Sequence, residues 1–189
     1  MRSASIEFLG RSGSPLWVEF TRPQDRFVHR VSGACGGWSG TIAESVEGTD
    51  EEVWPASPAL QQLSIEHREL VDVALLVGMS GRSHWSLSIE AARGTGKLLF
   101  DAACRVRESP LRCGSGYRID WGTQYEQNPD RLRWRSGGVW YELTVLEVAG
   151  SLPARLERVA DGIRIVAPPP DRLPATVRWR YQLACETIS

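Results

Sequence analysis

From Thr176 to Glu186 the chain alternates without a break: Val177, Trp179, Tyr181, Leu183 and Cys185 are interleaved with Thr176, Arg178, Arg180, Gln182, Ala184 and Glu186. A period of two sends successive side chains to opposite faces of an extended strand, so this stretch reads as a strand with one apolar face and one mostly polar face. The same period recurs along the chain and helical spacing is scarce. That combination restricts the fold to an antiparallel, all-β class.

Two hairpins can be placed with their register. Trp85, Leu87, Ile89 and Ala91 alternate with His84, Ser86, Ser88 and Glu90; after Arg93-Gly94-Thr95-Gly96 the pattern resumes as Leu98, Phe100, Ala102, Cys104 and Val106. A short loop sets Ile89 opposite Phe100, Leu87 opposite Ala102 and Trp85 opposite Cys104. The reverse face then pairs Ser88 with Asp101 and His84 with Arg105, and a slip of one residue would spoil both faces. The second hairpin turns on Gly137-Gly138, setting Trp134 opposite Tyr141 and Leu132 opposite Leu143. Its other face pairs Arg133 with Glu142 as an ion pair and Arg135 with Trp140 as a cation–π contact.

Further strands are expected at Ile6–Leu9, Leu16–Phe20, Arg26–Val31, Thr41–Val46, Leu60–His67, Val71–Met79, Tyr117–Trp121 and Ile163–Ala167. Pro153–Asp161 reads as a hairpin arm turning at Asp161-Gly162, although Leu152, Leu156 and Val159 also fit helical spacing. Gly33–Gly40, Glu47–Glu52 and the proline-rich Pro168–Pro174 are the weakest joints, and none separates regions of different composition. Residues 1–189 are therefore expected to form a single domain of about ten to twelve strands. A closed antiparallel barrel is favoured because hairpins follow one another and closure removes exposed edges; a two-sheet sandwich is the alternative.

A formal net charge of −1 offers no bulk field for nucleic acid or an acidic membrane. The Arg131-Leu132-Arg133-Trp134-Arg135 stretch reads as a solvated strand face, since Glu126, Asp130 and Glu142 lie close by. The longest apolar run, Val73–Val77, is too short to span a bilayer. No apolar run follows Arg2, and Cys35, Cys104, Cys113 and Cys185 form no Cys-x-x-Cys pair. These features point to reduced thiols and a cytoplasmic protein.

Eight tryptophans, at 17, 38, 54, 85, 121, 134, 140 and 179, supply much of the apolar surface to be buried. The expected function is the binding of a small molecule in a Trp-lined barrel cavity. The polar face of the first hairpin supplies the candidate ligand-binding residues His84, Ser88, Glu90, Asp101 and Arg105, unless that face is simply solvated. An enzyme using His84 with a carboxylate, Glu90 or Asp101, on a concave sheet face is one alternative. A protein- or carbohydrate-interaction module with exposed Trp is another. His29, His67 and His84 lack metal-ligand spacing, no phosphate-loop or nucleophile-elbow motif occurs, and no metal or cofactor is expected. Cys113, beside Gly114-Ser115-Gly116 and near Arg112 and Arg118, is the best candidate for an accessible thiol.

Overall fold

A computed structural model describes residues 7–9, 15–35, 37–49, 51–119, 121 and 124–186. It contains fifteen strands: β1 (Glu7–Leu9), β2 (Leu16–Thr21), β3 (Val28–Cys35), β4 (Trp38–Ser45), β5 (Gln62–His67), β6 (Val71–Ser80), β7 (Ser83–Ala92), β8 (Lys97–Val106), β9 (Cys113–Ile119), β10 (Tyr125–Gln127), β11 (Arg131–Ser136), β12 (Val139–Leu146), β13 (Arg155–Val159), β14 (Gly162–Ala167) and β15 (Ala175–Cys185). They form two antiparallel sheets. The first has the order β1-β2-β3-β4-β9-β14-β13 and the second the order β10-β11-β12-β15-β8-β7-β6-β5. Among the described residues no ladder joins one sheet to the other, so the fold follows the two-sheet alternative rather than a closed barrel. The connections after β4, β8, β9, β12 and β14 change sheets. Apolar residues from both inner faces form one continuous core.

Both hairpin registers are as the alternation requires. Trp85 opposes Cys104, Leu87 opposes Ala102, Ile89 opposes Phe100 and His84 opposes Arg105. Trp134 opposes Tyr141 across Gly137 and Gly138, whose φ angles of 57° and 85° suit glycine. The cation–π partner of Trp140 is different from expectation: Arg135 is opposite it in the ladder, but the Arg133 guanidinium lies 5.0 Å from its ring. β13 and β14 form the expected hairpin, with the turn one residue earlier, at Ala160-Asp161. Gly33–Gly40 is mostly strand, not joint, because β3 and β4 run into it from both sides. Ile6, expected to open the first strand, lies outside the described residues.

Val177, Trp179, Tyr181 and Leu183 of β15 all face the core. Trp54, Trp85, Trp134 and Trp179 are buried, and Trp17, Trp38, Trp121 and Trp140 are half-buried. Trp85 packs edge-on against both Trp54 and Trp179, with centroids 6.0 and 6.3 Å away. Phe100 stacks on Tyr181 at 4.7 Å. These rings fill the space between the sheets. A void bounded by Val31, Ala43, Phe100, Tyr117, Leu143, Tyr181 and Leu183 measures about 10 Å³, no more than a single water needs.

Candidate functional site

The first hairpin packs its apolar face against the other sheet, which turns His84, Ser86, Ser88 and Glu90 outward. Met79, His84, Arg105 and Thr176 form one cross-strand row on this outer face, and Val77, Ser86 and Ala103 form the next. These residues line a trough of about 510 Å³ with Gln61 and Gln62 at its rim and Trp85 and Gly78 also contributing. Gln61 closes the β6 end: its side-chain amide donates to the Met79 carbonyl at 2.9 Å, and its side-chain oxygen accepts from the Met79 amide at 2.6 Å. Gly78 permits this approach, since a Cβ there would lie 2.1 Å from the Ala59 carbonyl oxygen.

The trough combines apolar and polar surface. Val77 and Met79, at successive outward positions of β6, are about half exposed, at 48% and 52%. The Arg105 guanidinium donates to Thr176 Oγ1 at 3.3 Å. Among the described residues no carboxylate lies within ion-pair distance of it. The neighbouring charges are neutralised differently. Asp101 accepts two hydrogen bonds from Arg178, one of them at 2.7 Å, and Arg180 Nε lies 3.2 Å from it.

This geometry divides the residues expected at the site. His84 and Arg105 line the trough; Ser88, Glu90 and Asp101 lie on the same outer face but outside it. Arg105 faces His84 in the ladder, and Asp101 sits four residues further along β8, about 13 Å at the rise of a strand. His84 and Asp101 therefore form no acid–base pair. His67 hydrogen-bonds Asp72 at the β5–β6 end and His29 is buried in the core. Among the described residues no three His, Cys, Asp or Glu side chains converge as metal ligands would.

A second polar constellation, in the core, went unnoticed in the sequence. Ser45 Oγ accepts from the His29 amide at 3.0 Å and donates to the Glu47 carboxyl. His29 Nδ1 lies 3.9 Å from that carboxyl, and His29 Nε2 is 2.7 Å from the Tyr117 hydroxyl. Tyr117 and Tyr181 hydroxyls are 2.6 Å apart, bridging the two sheets, and the Trp179 indole donates to Ser115 at 3.0 Å. Arg26 anchors the outer end by donating to the Glu47 carbonyl at 3.3 Å. Burial pushes the Glu47 carboxyl up to about 8, against the opposing pull of Ser45 and the Arg26 charge. Burial also drives the His29 imidazole down to about 3 and raises both tyrosines above their ordinary range. At neutral pH the group is thus an uncharged hydrogen-bonded chain: neutral imidazole, protonated carboxyl and intact phenols. The signal in the sequence was the presence of His29, Ser45, Ser115 and Tyr117 at inward phases of their strands.

No protein-family model and no curated protein matches this chain.

Proposed function

We propose that this protein binds a small amphipathic anion in the trough on the outer face of the second sheet. The observation that carries this reading is Arg105, a guanidinium with no carboxylate partner among the described residues, set beside exposed Val77 and Met79 in a concave surface. Its volume of about 510 Å³ falls within the range of small-molecule sites, roughly 300–1,000 Å³. The ligand's anionic group would pair with Arg105, flanked by His84 and Thr176, and its apolar part would lie along Val77 and Met79. The expected Trp-lined interior cavity is relocated by this reading, because aromatic rings occupy the core. Trp85 still contributes to the wall. Three free thiols, Cys104, Cys113 and Cys185, support the cytoplasm as the compartment. Cys104 and Cys113 are both buried, so Cys113 is not the accessible thiol expected from its neighbours in the sequence.

A fluorescence titration with 1-anilinonaphthalene-8-sulfonate, an anionic amphipath, tests the site. Arg105→Ala should weaken binding about tenfold, the loss of one charge-assisted hydrogen bond. Met79→Ser should weaken it as well, and Arg135→Ala, near the end of β11, should not. Binding unchanged in both trough variants would refute the proposal.

A further inference from the structure

A second concave surface lies on the outer face of the other sheet, and its side chains have a different chemistry. Gly114 opposes Val166 and Gly116 opposes Arg164 between β9 and β14; across the next ladder Val166 opposes Arg155 and Arg164 opposes Glu157. The two glycines carry no side chain outward and both are buried; Ala56 packs over Gly116, and Gly114 forms the floor of the cleft. Leu111 and Arg112, from the β8–β9 connection, form the remaining wall of a cleft of about 370 Å³.

Three arginines and one carboxylate line this cleft. Glu157 Oε1 accepts from Arg155 Nε at 2.8 Å, so it neutralises that arginine although Arg164 is its ladder partner. Among the described residues no carboxylate lies within ion-pair distance of Arg112 or Arg164. Arg112 and Arg164 thus line one concavity without a carboxylate partner, and a doubly charged anion gains more from such a pair than a singly charged one. Guanidinium forks also match the oxygens of a phosphoryl group in geometry. Leu111, 83% exposed, and Val166 add apolar surface to the same cleft. We infer that this cleft binds a phosphate monoester, its dianionic phosphoryl group between Arg112 and Arg164 and its organic group against Leu111 and Val166. The assignment is independent of the trough, which lies on the opposite sheet.

Amide NMR titrations at pH 8 with phenyl phosphate, inorganic phosphate and acetate test it. Phenyl phosphate should give saturating shifts centred on Gly114 and Val166, and should bind more tightly than inorganic phosphate. Acetate, a monoanion, should bind weakest. Arg112→Ala and Arg164→Ala should each weaken phenyl phosphate about tenfold. Glu157→Gln should strengthen it by freeing Arg155, an effect that a loss of folding cannot mimic. Arg105→Ala should leave these shifts unchanged, which separates this site from the trough. The inference is overturned if phenyl phosphate produces no saturating shifts at Gly114 and Val166. It is also overturned if inorganic phosphate binds equally well, or if Arg135→Ala weakens binding as much as Arg164→Ala.

Discussion

The buried pair of Glu47 and His29 should give this protein a stability maximum in mildly acidic solution. Glu47 titrates near 8 in the folded chain and near 4.5 when unfolded. Between those values the folded state retains a proton that the unfolded state has released. Stability from this group is therefore complete below pH 4.5 and is lost as pH rises to 8, by about 5 kcal/mol in all at 1.36 kcal/mol per pH unit. His29 behaves in the opposite sense. Its folded value near 3 lies below its ordinary 6.5, so the unfolded chain takes up a proton that the folded chain refuses, and stability is lost as pH falls from 6.5 to 3. The two slopes cancel between pH 4.5 and 6.5. Above 6.5 only the Glu47 slope remains, and stability should fall by about 2 kcal/mol by pH 8. Urea midpoints at fixed m-value across pH 3.5–8 measure this directly. Glu47→Gln should abolish the alkaline decline and His29→Gln the acid one. The reasoning is refuted if wild-type stability is flat or rising from pH 6.5 to 8, or if Glu47→Gln declines just as steeply.

Two further outcomes follow from the core and its thiols. Tyr117→Phe removes the hydroxyl between His29 Nε2 and the Tyr181 hydroxyl and leaves each a partner short, so it should cost about 1–3 kcal/mol in urea unfolding; a cost near zero would mean that the chain of hydrogen bonds carries no net energy. Thiol titration under denaturing, non-reducing conditions should find all four cysteines free, and a reproducible disulfide would argue against the cytoplasm.

Strand positions and local pairings were legible in the sequence because period-two alternation and short glycine turns act over a few residues. The registers of β7 with β8 and of β11 with β12 follow from such local patterns, as does the inward face of β15. The short β10 carries no such pattern: Tyr125, Glu126 and Gln127 are all exposed, and the strand exists only because β11 offers an edge. The glycines of Gly33–Gly40 suggested a joint, but pairing in the ladder with β2 and with each other carries β3 and β4 into it.

Alternation reveals that a strand has two faces without saying which other strands it will meet. It therefore left barrel and sandwich open, and could not foresee β15 joining two meanders or β9 lying between β4 and β14. The same limit applies to the sites. His84 and Arg105 were adjacent by register and remain so. Whether their face turned inward or outward depended on the position of the other sheet. Asp101 was claimed by Arg178 and Arg180 from β15, a strand more than seventy residues away in sequence. Glu47, His29, Tyr117 and Tyr181 come from four separate segments: the β3–β4 and β4–β9 ladders gather the first three in one sheet, and only packing of the two sheets brings the Tyr181 hydroxyl to that of Tyr117. The desolvation that neutralises them arises from that packing too. Local pattern determined the strands and their faces; long-range burial decided which polar groups share a site and what charge they carry.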